Sequence, residues 1–144
     1  MMAKNIALLL TLIALAAPLP VRAEMAVIVN KDNPLKAMNK ADLSLIYFGK
    51  KKMFESGDVI VPIDTAPDKP ARQDFFANIL RKDEESYRLY WVRMIFSGKG
   101  QPPLAFKTEE EAVRFVASNK GGIAFVDSSQ ITGDVKMLHI LENE

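Results

Sequence analysis

The chain has 144 residues, of which 49% are apolar and 26% charged, with 19 basic and 18 acidic side chains and no cysteine. That is enough for one domain with its own core. It excludes a disulfide-stapled scaffold, a thiolate metal site and the strong positive field of a non-specific nucleic-acid binder.

The first 23 residues read as a leader. Lys4 makes the start positive, and Ile6–Ala17 is an apolar run of 12 residues without charge. Pro18, Pro20 and the ending Val21-Arg22-Ala23 follow. Small residues at Val21 and Ala23 suit a signal-peptidase cut before Glu24. The run is short of the about 20 residues that span a bilayer. An uncleaved N-terminal anchor is the other reading of this run. We therefore expect residues 1–23 to be a signal peptide and 24–144 the mature domain, placed in a bacterial periplasm. The leader carries Lys4 and Arg22 and no acid, so the mature chain would have a net charge of −1. Without cysteine there is no lipobox, and the domain must hold by packing alone.

Met25–Val29 is a continuous apolar, β-branched run and predicts a buried strand. Asn30 to Pro34 ends it with turn chemistry. Asn39 is a good N-cap for a helix to Tyr47, with Asp42 in its first turn and Leu43, Ile46 and Tyr47 on one face. Gly49 suits the residue just past its end. Lys50-Lys51-Lys52 reads as a solvated loop, with a phosphate or membrane-surface patch as the alternative. Val59–Ile63 predicts a second buried strand. Pro70 suits the first position of a helix whose stripe is Phe75, Phe76, Ile79 and Leu80. Asp83 is an N-cap for the next helix, with Glu84 and Glu85 favourable to its dipole. Its stripe of Tyr87, Tyr90, Trp91, Met94 and Ile95 reads as core rather than as a stacking platform.

Phe96 to Pro103 is an irregular loop. Its Ser97-Gly98-Lys99-Gly100 follows a helix and lacks P-loop spacing, so it is no nucleotide cradle. Thr108 and Glu111 have the spacing of a capping box, opening a helix that buries Ala112, Val113 and Val116. Gly122–Val126 predicts a third strand, and Val135–Leu141 a last one at a sheet edge. The order β α β α α α β β implies an α/β fold of three layers, a mixed sheet covered by helices.

The stretch Gly57–Leu80 organises the rest, because a strand running through a loop into a helix N-terminus is a common anion cradle. Thr65, Lys69 and Arg72 offer donors there. A second reading competes with this one. Asp68 caps the helix with its own carboxylate, and Arg72 lies on a solvated face or pairs with an acid. Asp64 and Asp68 would also repel a dianion by roughly 1–4 kcal/mol each at about 4 Å, against a dipole contribution of about 0.3–1 kcal/mol. His139 has no ligand neighbours in sequence, so no metal site is expected. No nucleophile or general-base constellation accompanies the paired carboxylates, so neither an enzyme nor a cofactor is expected.

Val27-Ile28-Val29-Asn30-Lys31-Asp32-Asn33-Pro34, followed by a helix ending Ile46-Tyr47-Phe48-Gly49-Lys50, resembles the phosphate-binding proteins of bacterial ABC transporters. Pro62, Arg72, Phe75 and Phe76 continue the likeness. So do Phe96-Ser97-Gly98-Lys99-Gly100-Gln101-Pro102-Pro103 and Gly121-Gly122-Ile123-Ala124-Phe125-Val126. The resemblance covers about 25–141 and implies one lobe of a type II periplasmic binding protein. It implies phosphate or another small oxyanion as ligand, with Thr65, Asp68, Lys69 and Arg72 as the candidate binding residues. The partners it implies are an ABC transporter membrane component, a sensor protein or a second copy of the chain. A non-enzymatic interaction module that has lost its ligand is the alternative. The chain departs from the family in having one lobe. Asp64 stands where the family has an Arg, and Asp68-Lys69-Pro70 where it has Ser-Gly-Thr.

Overall fold

The computed structural model describes residues 17–19, 24–65 and 67–143. The predicted leader, apart from 17–19, lies outside the described residues. Two sheets organise the domain. The main one has five strands in the order β4-β3-β5-β1-β6, from β1 (Met25–Asn30), β3 (Val61–Thr65), β4 (Leu104–Phe106), β5 (Gly122–Asp127) and β6 (Val135–Met137). β3 pairs in parallel with β4 and β5, while β1 runs antiparallel to β5 and β6. A parallel ladder of β2 (Ala37–Asn39) and β7 (His139–Leu141) forms the second sheet.

Helices cover both faces of the main sheet, which is the expected three-layer α/β arrangement. Side chains alternate across β1 and β5, as strand geometry requires. Val27, Val29, Ile123 and Phe125 face one core, together with α1 (Lys40–Tyr47), α2 (Pro70–Phe75) and α3 (Glu84–Phe96). Ile28, Ala124 and Val126 face the other, under Ala112, Val113 and Val116 of α4 (Glu109–Ser118). Phe75 stacks on Phe125 with ring centres 4.1 Å apart. Tyr47 is fully buried, and its hydroxyl donates to the Ile63 carbonyl at 2.9 Å, tying α1 to β3. Burial pushes that hydroxyl's pKa well up, so it stays a donor.

The caps follow the sequence closely. Asn39 accepts from the Asp42 N–H at 2.7 Å, Asp83 from Ser86 at 2.7 Å and Thr108 from Glu111 at 3.1 Å. Gly49 has φ +70°, and its missing Cβ makes room for the Trp91 ring. Five details differ from expectation. The second strand is Val61–Thr65, because Val59 makes only an isolated bridge with Met53. Val61 gives its N–H to Gly121, so Pro62 turns its missing donor toward the other side, where pairing with β4 starts only at Ile63. The helix from Pro70 continues as a π-helical turn, Phe76–Leu80, and ends at Arg81 with φ 51°. The three-residue strands β2 and β4 carry too little pattern to be read, and Leu138 splits the last strand into β6 at the edge and β7 beside β2. Finally, Ile95 is 52% exposed, so the α3 stripe is core at Tyr87 and Trp91 but not at its far end.

Candidate functional site

β3, β4 and β5 run the same way, so their carboxyl ends, Thr65, Phe106 and Asp127, share one end of the sheet. α2 opens there on one face and α4 on the other. This is the position where open α/β sheets hold ligands. A helix N-terminus offers N–H groups that have no partner within the helix.

Each predicted residue has a definite place. Thr65 is 1% exposed, and its hydroxyl donates to the Phe125 carbonyl at 3.2 Å, so it stitches β3 to β5. Asp68 and Lys69 are exposed. The N-cap of α2 is Lys69, not Asp68, and no side chain caps this helix; the extended backbone of Lys69 leads straight into Pro70. Pro70 contributes no N–H to that first turn.

Arg72 is held in a cluster with Asp64, Glu84 and Phe76. Its Nε donates to Asp64 Oδ1 at 2.9 Å and its Nη2 to Asp64 Oδ2 at 3.3 Å. Its Nη1 donates to Glu84, the first residue of α3. The guanidinium lies 4.3 Å from the centre of the Phe76 ring. Burial opposes the charge of Arg72, but Asp64 and Glu84 outweigh it and hold the pKa above its ordinary value. The acid-paired reading of Arg72 therefore describes the structure. A groove of about 650 Å³ runs from this cluster past Trp91 and Ile95 to Pro102, Pro103 and Ala105. Ile95, Phe96 and Leu104 are exposed around that end of α3 and β4.

Glu109 was not anticipated as a site residue. It opens α4, is 9% exposed, and accepts the Asp127 N–H at 3.1 Å. Burial raises its pKa, assisted by Asp127; the Asp127 N–H and nearby Lys69 pull the other way. In sequence it is one acid in a first turn, among Glu109-Glu110-Glu111. Only the crossover from β4 to β5 brings it against Asp127. The carboxyl end of the sheet therefore already holds carboxylates where an oxyanion would otherwise find N–H groups.

No family model matches the chain, and no curated protein matches it. Solved structures do match. An ABC-type phosphate transport receptor from Vibrio cholerae aligns with TM-score 0.65 at 16% identity, over 82% of this chain and 46% of that one. A phosphate ABC transporter substrate-binding protein from Clostridium perfringens, solved with bound phosphate, aligns with TM-score 0.62 at 18% identity, over 82% and 45%. PstS from Borrelia burgdorferi aligns with TM-score 0.60 at 11% identity, over 82% and 47%. The first of these is a transport receptor and the second a substrate-binding protein. The chain spans about half the length of each, and at these identities the likeness is one of fold: an α/β domain matching one lobe of phosphate-binding proteins.

Proposed function

We propose that this chain is a solute-binding-like protein acting outside the cytoplasm, with the carboxyl end of its sheet as the functional face. Phosphate or another small oxyanion is the ligand class that the fold and its neighbours support. The observation that shapes this reading is the double pairing of Arg72 with Asp64 and Glu84. Arg72 is the candidate residue best suited to grip an oxyanion in two places, and it is already engaged. Thr65 is engaged as well, while Asp68 and Glu109 add negative charge. A single lobe with these groups binds an oxyanion at millimolar strength or weaker, unless a second lobe or second copy closes the cleft.

Titration calorimetry of residues 24–144 with phosphate and with sulfate tests this directly. Saturable heat that Lys69→Ala weakens supports it. No heat at 20 mM of either anion, a concentration chosen as roughly 2.3 kcal/mol of standard binding free energy, ends the oxyanion reading. The second reading, docking on a transport or sensor component of the membrane, is favoured by the exposed Ile95, Phe96 and Leu104 beside the apolar groove. Ile95→Glu with Phe96→Ser would abolish such docking and leave anion titrations unchanged.

A further inference from the structure

α3 ends in apolar side chains that the fold leaves in solvent. Phe96, its last residue, is 88% exposed and Ile95 is 52% exposed. At 3.6 residues per turn, Arg88, Leu89, Val92, Arg93, Ile95 and Phe96 share the outer arc of the helix. Tyr87, Tyr90 and Met94 pack inward against the core. Two grooves flank the arc. Arg88, Val92 and Ile95 line the one that ends at Pro102 and Pro103, and Leu89 and Arg93 line another, of about 310 Å³, with Phe48. The following loop is pinned to the helix end. The Gly98 N–H donates to the Ile95 carbonyl at 3.1 Å and the Lys99 N–H to the Met94 carbonyl at 3.0 Å, which keeps Lys99 beside Phe96.

The charge around this tip has one sign. Residues 86–107 hold four cations, Arg88, Arg93, Lys99 and Lys107, and no acid, leaving 15 basic against 18 acidic side chains in the rest of the chain. All four are exposed, and none is in an ion pair among the described residues. Acids return only at the other end of α3, where Glu84 is engaged by Arg72 and Glu85 lies about 16 Å from Phe96 along the axis. Arg88 and Arg93 lie within about 12 Å of Phe96 on the same measure, close to the Debye length, so they act on the same surface.

This combination selects the occupant. A second copy would bring the same cations against these, and Coulomb repulsion opposes that pairing. A protein partner would need a pocket shaped for Phe96, whereas a lipid interface receives a projecting aromatic without one. Long Lys and Arg stems let the charges stay among headgroups while apolar tips go deeper. We propose that the C-terminal end of α3 is a site for an anionic membrane surface: Phe96 and Ile95 enter the lipid interface, and Arg88, Arg93 and Lys99 meet lipid phosphates. This rests on the same exposed face as the second reading above, and it names lipid rather than a membrane protein as what that face meets.

The test uses residues 24–144, which contain both cores and lack the apolar run of residues 6–17 that would itself enter a bilayer. Phosphatidylcholine vesicles with about 30% phosphatidylglycerol should co-sediment the protein, pure phosphatidylcholine should not, and the binding should fall as ionic strength rises past about 0.15 M. Arg93→Gln and Lys99→Gln should each weaken it about fivefold, the worth of one cation at an anionic surface, and Phe96→Ser about tenfold or more. Phe96→Trp should shift tryptophan emission to shorter wavelength when anionic vesicles are added. These positions are exposed, so the variants should keep their thermal midpoints. Binding that is equal with and without phosphatidylglycerol, or unaffected by Phe96→Ser, overturns the proposal. So does loss of binding when phosphate replaces chloride at equal ionic strength, which would put the lipid phosphate at the carboxyl end of the sheet instead. Binding to native envelope vesicles but not to pure lipid overturns the lipid site and leaves the membrane-component reading standing. Self-association in sedimentation runs that Phe96→Ser removes would assign the face to a second copy and overturn it too.

Discussion

Arg72 donates to two carboxylates and rests on the face of Phe76, which leaves it little to offer an anion. Its side chain is 12% exposed and that of Asp64 19%. An exposed pair contributes about 0–1 kcal/mol, and breaking a fully buried one costs about 3–5 kcal/mol. This pair sits between those limits, so Arg72→Ala should lower stability by about 1–3 kcal/mol in urea melts. An unchanged midpoint would return Arg72 to the pool of free donors. Glu109 calls for the opposite sign. Burial raises its pKa, so the folded state binds its proton more tightly than the unfolded chain does. Stability from this group is greatest at low pH and falls as the pH rises from the ordinary glutamate value through the raised one. Glu109→Gln keeps an acceptor for the Asp127 N–H and should flatten that decline. A pH series of thermal melts with an unaltered slope near pH 4–6, where an ordinary glutamate pKa of about 4.3 moves upward, would contradict it.

Among the elements, those with chemical punctuation were legible. Asn39, Asp83 and Thr108 cap the helices they were read as capping, and Gly49 turns the chain after α1. Long apolar runs such as Val27–Val29 and Ile123–Val126 form the central strands. The failures have separate local causes. β2 and β4 have three residues each, too short for any periodicity to show. Asp68 was a plausible cap by type, but the loop path places Lys69 at that position. Gly121 marks another feature visible only in three dimensions. A Cβ there would overlap the Val59 carbonyl oxygen, where the backbone enters β3. Gly121→Ala should therefore cost about 3 kcal/mol, the upper end for overpacking, since the obstacle is main chain rather than a mobile side chain. Loss of less than about 0.5 kcal/mol, the range of neutral surface changes, would show that the entry to β3 shifts freely.

The whole molecule is two cores on one sheet. β1 and β5 give alternate residues to each, so neither core can loosen without the strands they share. Val116→Ala removes buried volume from α4 on one face of the sheet, and Trp91 lies on the opposite face. This substitution should lower stability by about 2 kcal/mol, and Trp91 fluorescence and far-UV circular dichroism should report the same midpoint. Separate midpoints would mean that the faces melt independently. By itself, the amino-acid sequence determined the caps of three helices, the two central strands, the α/β class and the set of polar residues around one strand–loop–helix crossing. Those follow from local chemistry: caps, turns and apolar periodicity act over a few residues. The tertiary structure alone decided what the crossing can do. It joined Arg72 to Asp64 and Glu84, set Glu109 against Asp127, and drew Thr65 into the sheet. Those partners are 8, 12, 18 and 60 residues apart in the chain, and only the packing of the sheet and its helices brings them within hydrogen-bond reach.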